Sequence, residues 1–275
     1  MRFGFVLPGG SPRELVDLAV VAEGAGWDGV FVWESGYAVD PWTTLGAMAE
    51  RTSTVRLGTM LTPLPWRRPW KVAAQAATLD HLSGGRAVLT VATGAADPVL
   101  GRYGETTDRH ERAERLDEGI DLIAALWAGE RAYAGRHYDV EVGTYSADLR
   151  CVQSPRVPIW VVGAWPRPKS MGRALRADGL VPICLDDDGL RPTTPDDVRA
   201  MIAWLDDHGG RRPGFDVITE GETPAADPAA ASAAVAPWAE AGCTWWIESR
   251  WQAPEDGSDP KQAVTARLEA GPPRL

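Results

Sequence analysis

The sequence predicts an α/β fold, a (βα)8 TIM barrel with an insertion between strands 4 and 5. Three observations carry this prediction. Eight short apolar runs alternate strictly with eight helical patterns along the 275 residues. Alternation with short buried strands implies a parallel sheet, and right-handed crossovers in a run of eight close into a barrel. Five helix starts carry a capping residue followed by proline, at Ser11, Asp40, Thr194, Asp227 and Asp259, so they do not rest on periodicity alone. No GxGxxG follows any strand, which counts against the alternative, an open doubly wound sheet.

The elements follow in order. Phe3 to Leu7 is a strand stopped by Pro8-Gly9-Gly10, and Ser11-Pro12-Arg13-Glu14 is a capping box opening a helix whose stripe is Leu15, Leu18, Ala19 and Ala22. Gly29 to Trp33 is the second strand, and Asp40-Pro41 starts a helix that ends near Arg51. Val55 to Leu61 and Ala87 to Ala92 are continuous apolar strands joined by a helix from Pro69, with Val72, Ala76 and Leu79 on one face and a stop at Ser83-Gly84-Gly85. The loop after Leu61 holds three prolines, two tryptophans and two arginines, more than a plain connector requires. A helix from about Arg109 to Ala128 has an apolar stripe at Ala113, Leu116, Ile120, Ile123 and Trp127. An excursion of about 95–157 lies around it, with a possible hairpin turn at Gly135-Arg136-His137, inside what reads as a single domain over 1–275. Strands at Ile159 to Val162, Leu180 to Cys184, Phe215 to Thr219 and Thr244 to Glu248 alternate with the last four helices, and Gly189 to Thr194 reads as a loop.

Composition narrows the function. A net charge of −10 and a pI near 4.9 argue against nucleic acid or an anionic membrane surface as partner. No amino-terminal stretch joins a basic start to an apolar core, and no run approaches the roughly 18 apolar residues of a membrane span. The expectation is a soluble, cytoplasmic protein with a small-molecule substrate. Cys151, Cys184 and Cys243 are scattered, without a CxxC, as suits buried thiols in a reducing compartment. Thirteen tryptophans are more than a core of this size needs, and some suit a pocket for a flat ligand.

In such a barrel the chemistry sits where the strands end. Those positions are Pro8-Gly9, Glu34-Ser35, Thr59 to Thr62, Thr93-Gly94, Gly163-Ala164-Trp165, Pro182, Glu220 and Glu248. They include no histidine cluster, HExxH or GxSxG, so no metal site is expected and a nucleophilic serine has no support. Gly163-Ala164-Trp165 precedes a helix whose first turn carries Arg167 and Lys169, an arrangement open to a phosphate or to plain surface charge. Glu34 is the acid/base candidate, since a carboxylate in an apolar mouth has a raised pKa, and a salt-bridged structural role is the alternative. Glu220 and Glu248 read either as substrate contacts or as partners of arginines such as Arg250.

TPLPWRRPWKVAAQAATLDHLSGGRAVL, from Thr62 to Leu89, resembles the signature of the bacterial luciferase-like monooxygenase family, with TLDHLSGGR at Thr78 to Arg86. GWDGVFVW, DPW, RAERLDEGIDLI (Arg112 to Ile123), PIWVVGAW and RADGLVP support it in order over about 1–250. The resemblance implies a flavin- or deazaflavin-dependent oxidoreductase, binding FMN or coenzyme F-420 at the barrel mouth. It implies a ring near Glu34, Thr59, Met60, Leu61 and Gly94, a cis non-prolyl peptide after strand three, and a phosphate on Gly163, Ala164 and Trp165. It further implies a homodimer and, for FMN, a flavin reductase as supplier. The chain departs from the pattern where related members read Asp-His, since Glu34-Ser35 stands there, and where others place a carboxylate after the strand-four glycine, leaving Asp97 nearest. Glu34, Trp42 and Asp97 are thus the catalytic candidates. A non-catalytic barrel acting as partner subunit or binding protein is the alternative function.

Overall fold

The computed structural model describes residues 1–95, 101–143, 150–252 and 259–275. Its parallel strands are β1 (Arg2–Leu7), β2 (Gly29–Val32), β3 (Arg56–Thr59), β4 (Ala87–Ala92), β5 (Ile159–Trp165), β6 (Gly179–Asp186), β7 (Asp216–Gly221) and β8 (Trp245–Ser249). Each pairs with the next, and β8 pairs with β1 from Arg2↔Trp245 to Val6↔Ser249, so the sheet closes on itself. Around it run α1 (Pro12–Gly24), α2 (Pro41–Arg51), α3 (Pro69–Ser83), α4 (Arg109–Ala128), α5 (Pro168–Ala174), α6 (Pro195–Asp207), α7 (Pro228–Glu240) and α8 (Pro260–Glu269). The fold is the expected barrel.

All five cap-plus-proline sites work as read. The side chains of Ser11, Asp40, Thr194, Asp227 and Asp259 accept hydrogen bonds from the first-turn amides of α1, α2, α6, α7 and α8. Each satisfies N–H groups that a helix start otherwise leaves without partners.

Side-chain alternation along the strands divides the apolar residues into two cores. Phe5, Leu7, Val30, Leu57, Leu89 and Val161 face outward and pack under the helices. Val6, Phe31, Met60, Val88, Trp160, Val181, Ile218, Trp245 and Ile247 fill the lumen. Three large rings fit there, with centroids of Trp160 and Trp245 5.3 Å apart and of Phe31 and Trp160 5.6 Å apart. Gly4 makes the room: a Cβ there would stand 2.7 Å from Ile247 Cδ1 and 2.8 Å from Phe31 Cε2.

The amino-terminal end of the barrel is held by polar groups. Arg86, entering β4, donates from Nε to Ser83 O (2.7 Å), from Nη1 to Val55 O (2.7 Å) and Thr52 Oγ1 (3.0 Å), and from Nη2 to Thr52 O (2.8 Å) and Ala49 O (3.1 Å). Asp80 in α3, fully buried, accepts from Val152 N (2.7 Å), Gln153 N (2.9 Å) and Gln153 Nε2 (2.7 Å). The Asp80 and Arg86 of TLDHLSGGR are therefore struts of the barrel floor, at the end opposite the strand carboxyl termini.

The structure differs from expectation in the ends of β3, β5 and β6 and at Gly189–Arg191, and agrees with it at the hairpin turn. β3 stops at Thr59 rather than Leu61; the Met60–Leu61 peptide is cis, and Thr62–Pro63 then pairs separately with the end of β4. β5 and β6 run on to Trp165 and Asp186, and Gly189–Arg191, read as loop, pairs antiparallel with β6. Between α4 and β5, Ala132–Ala134 pairs antiparallel with Asp139–Glu141, so the turn falls at Gly135-Arg136-His137. Glu118 of α4 anchors it by accepting the amides of Arg136, His137 and Tyr138.

Candidate functional site

The strand carboxyl ends surround a mouth above the packed lumen. On one side Trp33, just past β2, donates from Nε1 to Pro8 O (2.6 Å) and meets Trp251 edge-to-face at 6.3 Å. That contact links the ends of β1, β2 and β8. Trp33 and Trp251 are exposed, as pocket walls are.

Glu34 follows Trp33 and is nearly sealed, with Arg67 Nε 2.8 Å from its Oε1 and Arg67 Nη2 3.9 Å from Asp40 Oδ2. Burial pushes its carboxyl up from the ordinary value, while Arg67, Thr62 and Trp42 oppose the shift. Its Oε2 is buried without a partner, as is Nε1 of Trp42, which sits in the first turn of α2 within the outer core. Glu34 is thus both the salt-bridged residue and the buried carboxylate that the sequence left as alternatives. Arg67 was legible only as part of an overloaded loop.

Met60 lies in the lumen core, beside the cis peptide that leads into Leu61. The Thr59 side chain is unavailable to a ligand, because it is fully buried and its hydroxyl lies 3.4 Å from Thr90 O and 2.9 Å from Thr62 Oγ1. Thr90 itself, an inward residue of β4 in register with Trp160, is fully buried with Oγ1 unpartnered. Past β4, Gly94 has φ +77°, and a Cβ there would stand 2.7 Å from Pro63 Cβ and 2.8 Å from Trp66 Cζ2. Only glycine suits that backbone. Arg112 of α4 fixes this loop by donating to Thr93 O and to Ala95 O (2.8 Å), with its guanidinium 5.7 Å from the Trp66 ring centre. Apart from the family-like helix around Arg112, no local pattern signals this role. Asp97 lies outside the described residues.

At the end of β5, Gly163 turns toward the helices rather than the mouth, since a Cβ would meet Leu180 Cδ1 at 2.4 Å and Met171 Sδ at 3.1 Å. Its size is set by packing, not by ligand approach. The Ala164 amide donates to Ser170 Oγ (2.9 Å), and Trp165 precedes a cis Pro166. Arg167 and Lys169 are exposed beside them.

The two carboxylates of the last strands part company. Glu248 faces outward, fully buried, accepting from Thr223 N (2.8 Å) and Thr223 Oγ1 (2.7 Å), with Arg250 and Arg267 at 3.5 and 3.6 Å. It is a structural anchor for α8. Glu220 faces inward, in register with Ile247 of the lumen, and accepts from Trp251 Nε1 at 3.3 Å.

An inward carboxylate, aromatic walls and buried unpartnered polar atoms at the carboxyl end of a (βα)8 barrel define an enzyme-type ligand site. The luciferase-like monooxygenase family model matches residues 1–269, and the chain belongs to that family. It is 37% identical over 180 residues to the F420-dependent glucose-6-phosphate dehydrogenase of Microbacterium testaceum, covering 60% of this chain and 52% of that protein. The chain spans about half the length of the curated relatives it matches first. Its fold is shared with monooxygenase RslO1 from Streptomyces bottropensis, at TM-score 0.77 and 20% identity over 98% of both chains. The coenzyme F420 dependent tetrahydromethanopterin reductase from Methanopyrus kandleri superposes at TM-score 0.74 with 18% identity, also over 98% of both chains. Among the described residues no group of three or more His, Cys, Asp or Glu is placed to hold a metal ion, and no helix is long and apolar enough to cross a membrane.

Proposed function

We propose that this chain is an oxidoreductase that uses a flavin-type cofactor, coenzyme F-420 or FMN, at the barrel mouth and acts on a small organic substrate. The observation that carries the reading is the rim of the mouth, where Glu220 faces inward beside the exposed rings of Trp33 and Trp251. An aromatic-walled cleft with a few polar groups suits a flat ring with polar edges. The named dehydrogenase relatives favour F-420 of the two.

The cofactor, when bound, supplies hydride or oxygen chemistry. This chain's residues do the rest. Arg67 holds Glu34 in one orientation, and Trp33, Trp66 and Trp251 give the mouth its apolar rim. Gly94, fixed by Arg112, packs its backbone against Pro63 and Trp66 and so sets the course of the loop after β4. Trp42 backs Glu34 from α2. A phosphate tail is assigned to the rim of Ala164 and Trp165, where Arg167 and Lys169 offer charge, with Gly163 contributing backbone only. With FMN, a reductase supplies the reduced form; a homodimer and a cytoplasmic setting complete the proposal.

Titration with F-420 and with FMN, followed by absorbance and fluorescence, tests it. Micromolar binding of one, with turnover of an alcohol or carbonyl panel, is the expected result. Binding of neither overturns it in favour of a non-catalytic barrel.

A further inference from the structure

The mouth holds two carboxylates in opposite circumstances. Glu34 is locked to Arg67 at 2.8 Å and closed off from solvent. Glu220 stands at the end of β7 on the lumen side, open to solvent through the mouth, and among the described residues it has no ion-pair partner. Charged neighbours are directed elsewhere: Glu222 pairs with Arg250 at 3.6 Å, and Glu248 with Arg250 and Arg267 lies behind the barrel wall. Its own contacts are the Trp251 indole N–H and Ser249, from the end of β8 and the residues after it. Trp251 in turn leans on Trp33, so the carboxyl sits beside an aromatic wall reaching from β8 to β2.

We propose that Glu220 is the catalytic acid–base group of this mouth, exchanging a proton with the hydroxyl or carbonyl oxygen of the substrate. The proposal rests on the oxidoreductase reading above and supplies the proton donor that Ser35, in place of a histidine, cannot be. In the oxidative direction the substrate O–H breaks, its electron pair stays on oxygen to form the C=O bond, and the proton becomes the Glu220 O–H. The hydride with its two electrons goes to the flavin-type acceptor of that reading. Desolvation by the surrounding barrel wall raises the Glu220 carboxyl above its ordinary value, and Trp251 and Ser249 oppose this by hydrogen bonding. Trp251, its hydrogen-bond partner, is a positioning residue.

The test uses the Trp251 indole N–H resonance, assigned by its loss in Trp251→Phe, as a reporter of Glu220 ionisation. In the wild-type chain it should titrate with a midpoint above the ordinary 4.5. In Glu220→Gln it should not move with pH, while cofactor affinity stays within about threefold and kcat falls about 100-fold or more. A wild-type indole that does not titrate, or titrates unchanged in Glu220→Gln, overturns the proposal, as does a Glu220→Gln kcat within threefold of wild type. Failure of both cofactors to bind while the indole still titrates overturns the oxidoreductase reading, and the catalytic role with it, and leaves an unpaired acid in a binding pocket.

Discussion

The two ends of the barrel spend their polar groups differently. At the amino-terminal end, Arg86 uses all five of its N–H groups on Ser83, Val55, Thr52 and Ala49, and Asp80 accepts three hydrogen bonds from Val152 and Gln153. Asp28 and Asp178, each just before a strand, accept the amides of Phe3 (2.7 Å) and Ile159 (2.9 Å) and so set neighbouring strands in register. At the carboxyl end, Thr90 Oγ1, Glu34 Oε2 and Trp42 Nε1 are buried without partners, and Glu220 lacks a counter-charge among the described residues. Satisfied polar groups stabilise a fold, and unsatisfied ones are tolerated where a ligand completes them. The contrast lies in the charged side chains: Arg86 and Asp80 are fully engaged at the floor, and Glu220 stands without a counter-charge among the described residues at the mouth.

Substitutions should separate the two ends. Arg86→Met removes five hydrogen bonds and leaves five acceptor atoms on four residues facing an apolar chain; urea unfolding should show a loss of about 3–4 kcal/mol. Asp80→Ala, which releases the segment around Gln153, should lower stability by about 2–3 kcal/mol in the same measurement, with cofactor affinity of the folded protein unchanged. Thr90→Val runs the other way. It should raise the stability of the protein by up to about 1 kcal/mol in urea unfolding, since it removes an unpartnered hydroxyl. A loss of stability in Thr90→Val would erase the contrast between the ends.

The smallest effect belongs to Glu220→Gln and has a pH signature. The folded-state carboxyl is raised, so its favourable protonated form contributes fully below the unfolded pKa and that contribution is lost as the pH rises through the folded value. The glutamine variant should therefore melt slightly above wild type at pH 7 and lose that advantage as the pH falls below about 4.5. Parallel melting curves at both pH values would contradict the raised carboxyl.

Much of the fold was legible because local chemistry agreed with it. Ser11, Asp40, Thr194, Asp227 and Asp259 each cap a helix with an atom within three residues, and such short-range devices are written in sequence. The candidate site was only partly legible. Glu34 and Gly94 stand just past the ends of β2 and β4, since strand ends can be counted off, whereas Trp42 packs in the outer core and Met60 in the lumen core. Which way each side chain turns depends on register, so Thr59 and Gly163 face away although their positions fit. The Glu34–Arg67 pair and the tie from Arg112 to Thr93 O join residues 33 and 19 apart across different elements, and no spacing rule reports them. The same holds for Glu220 and Glu248, alike in sequence and opposite in direction.

The last pairing in the ring, β8 with β1 at Arg2↔Trp245 through Val6↔Ser249, joins segments more than 240 residues apart in the chain. Until Trp245–Ser249 is in place, the edges of β1 and β7 that it covers have no partner strand in the ring. Ring closure is thus a late, long-range event, and the interval before it is when a growing chain of this protein is most exposed to pairing with a neighbour.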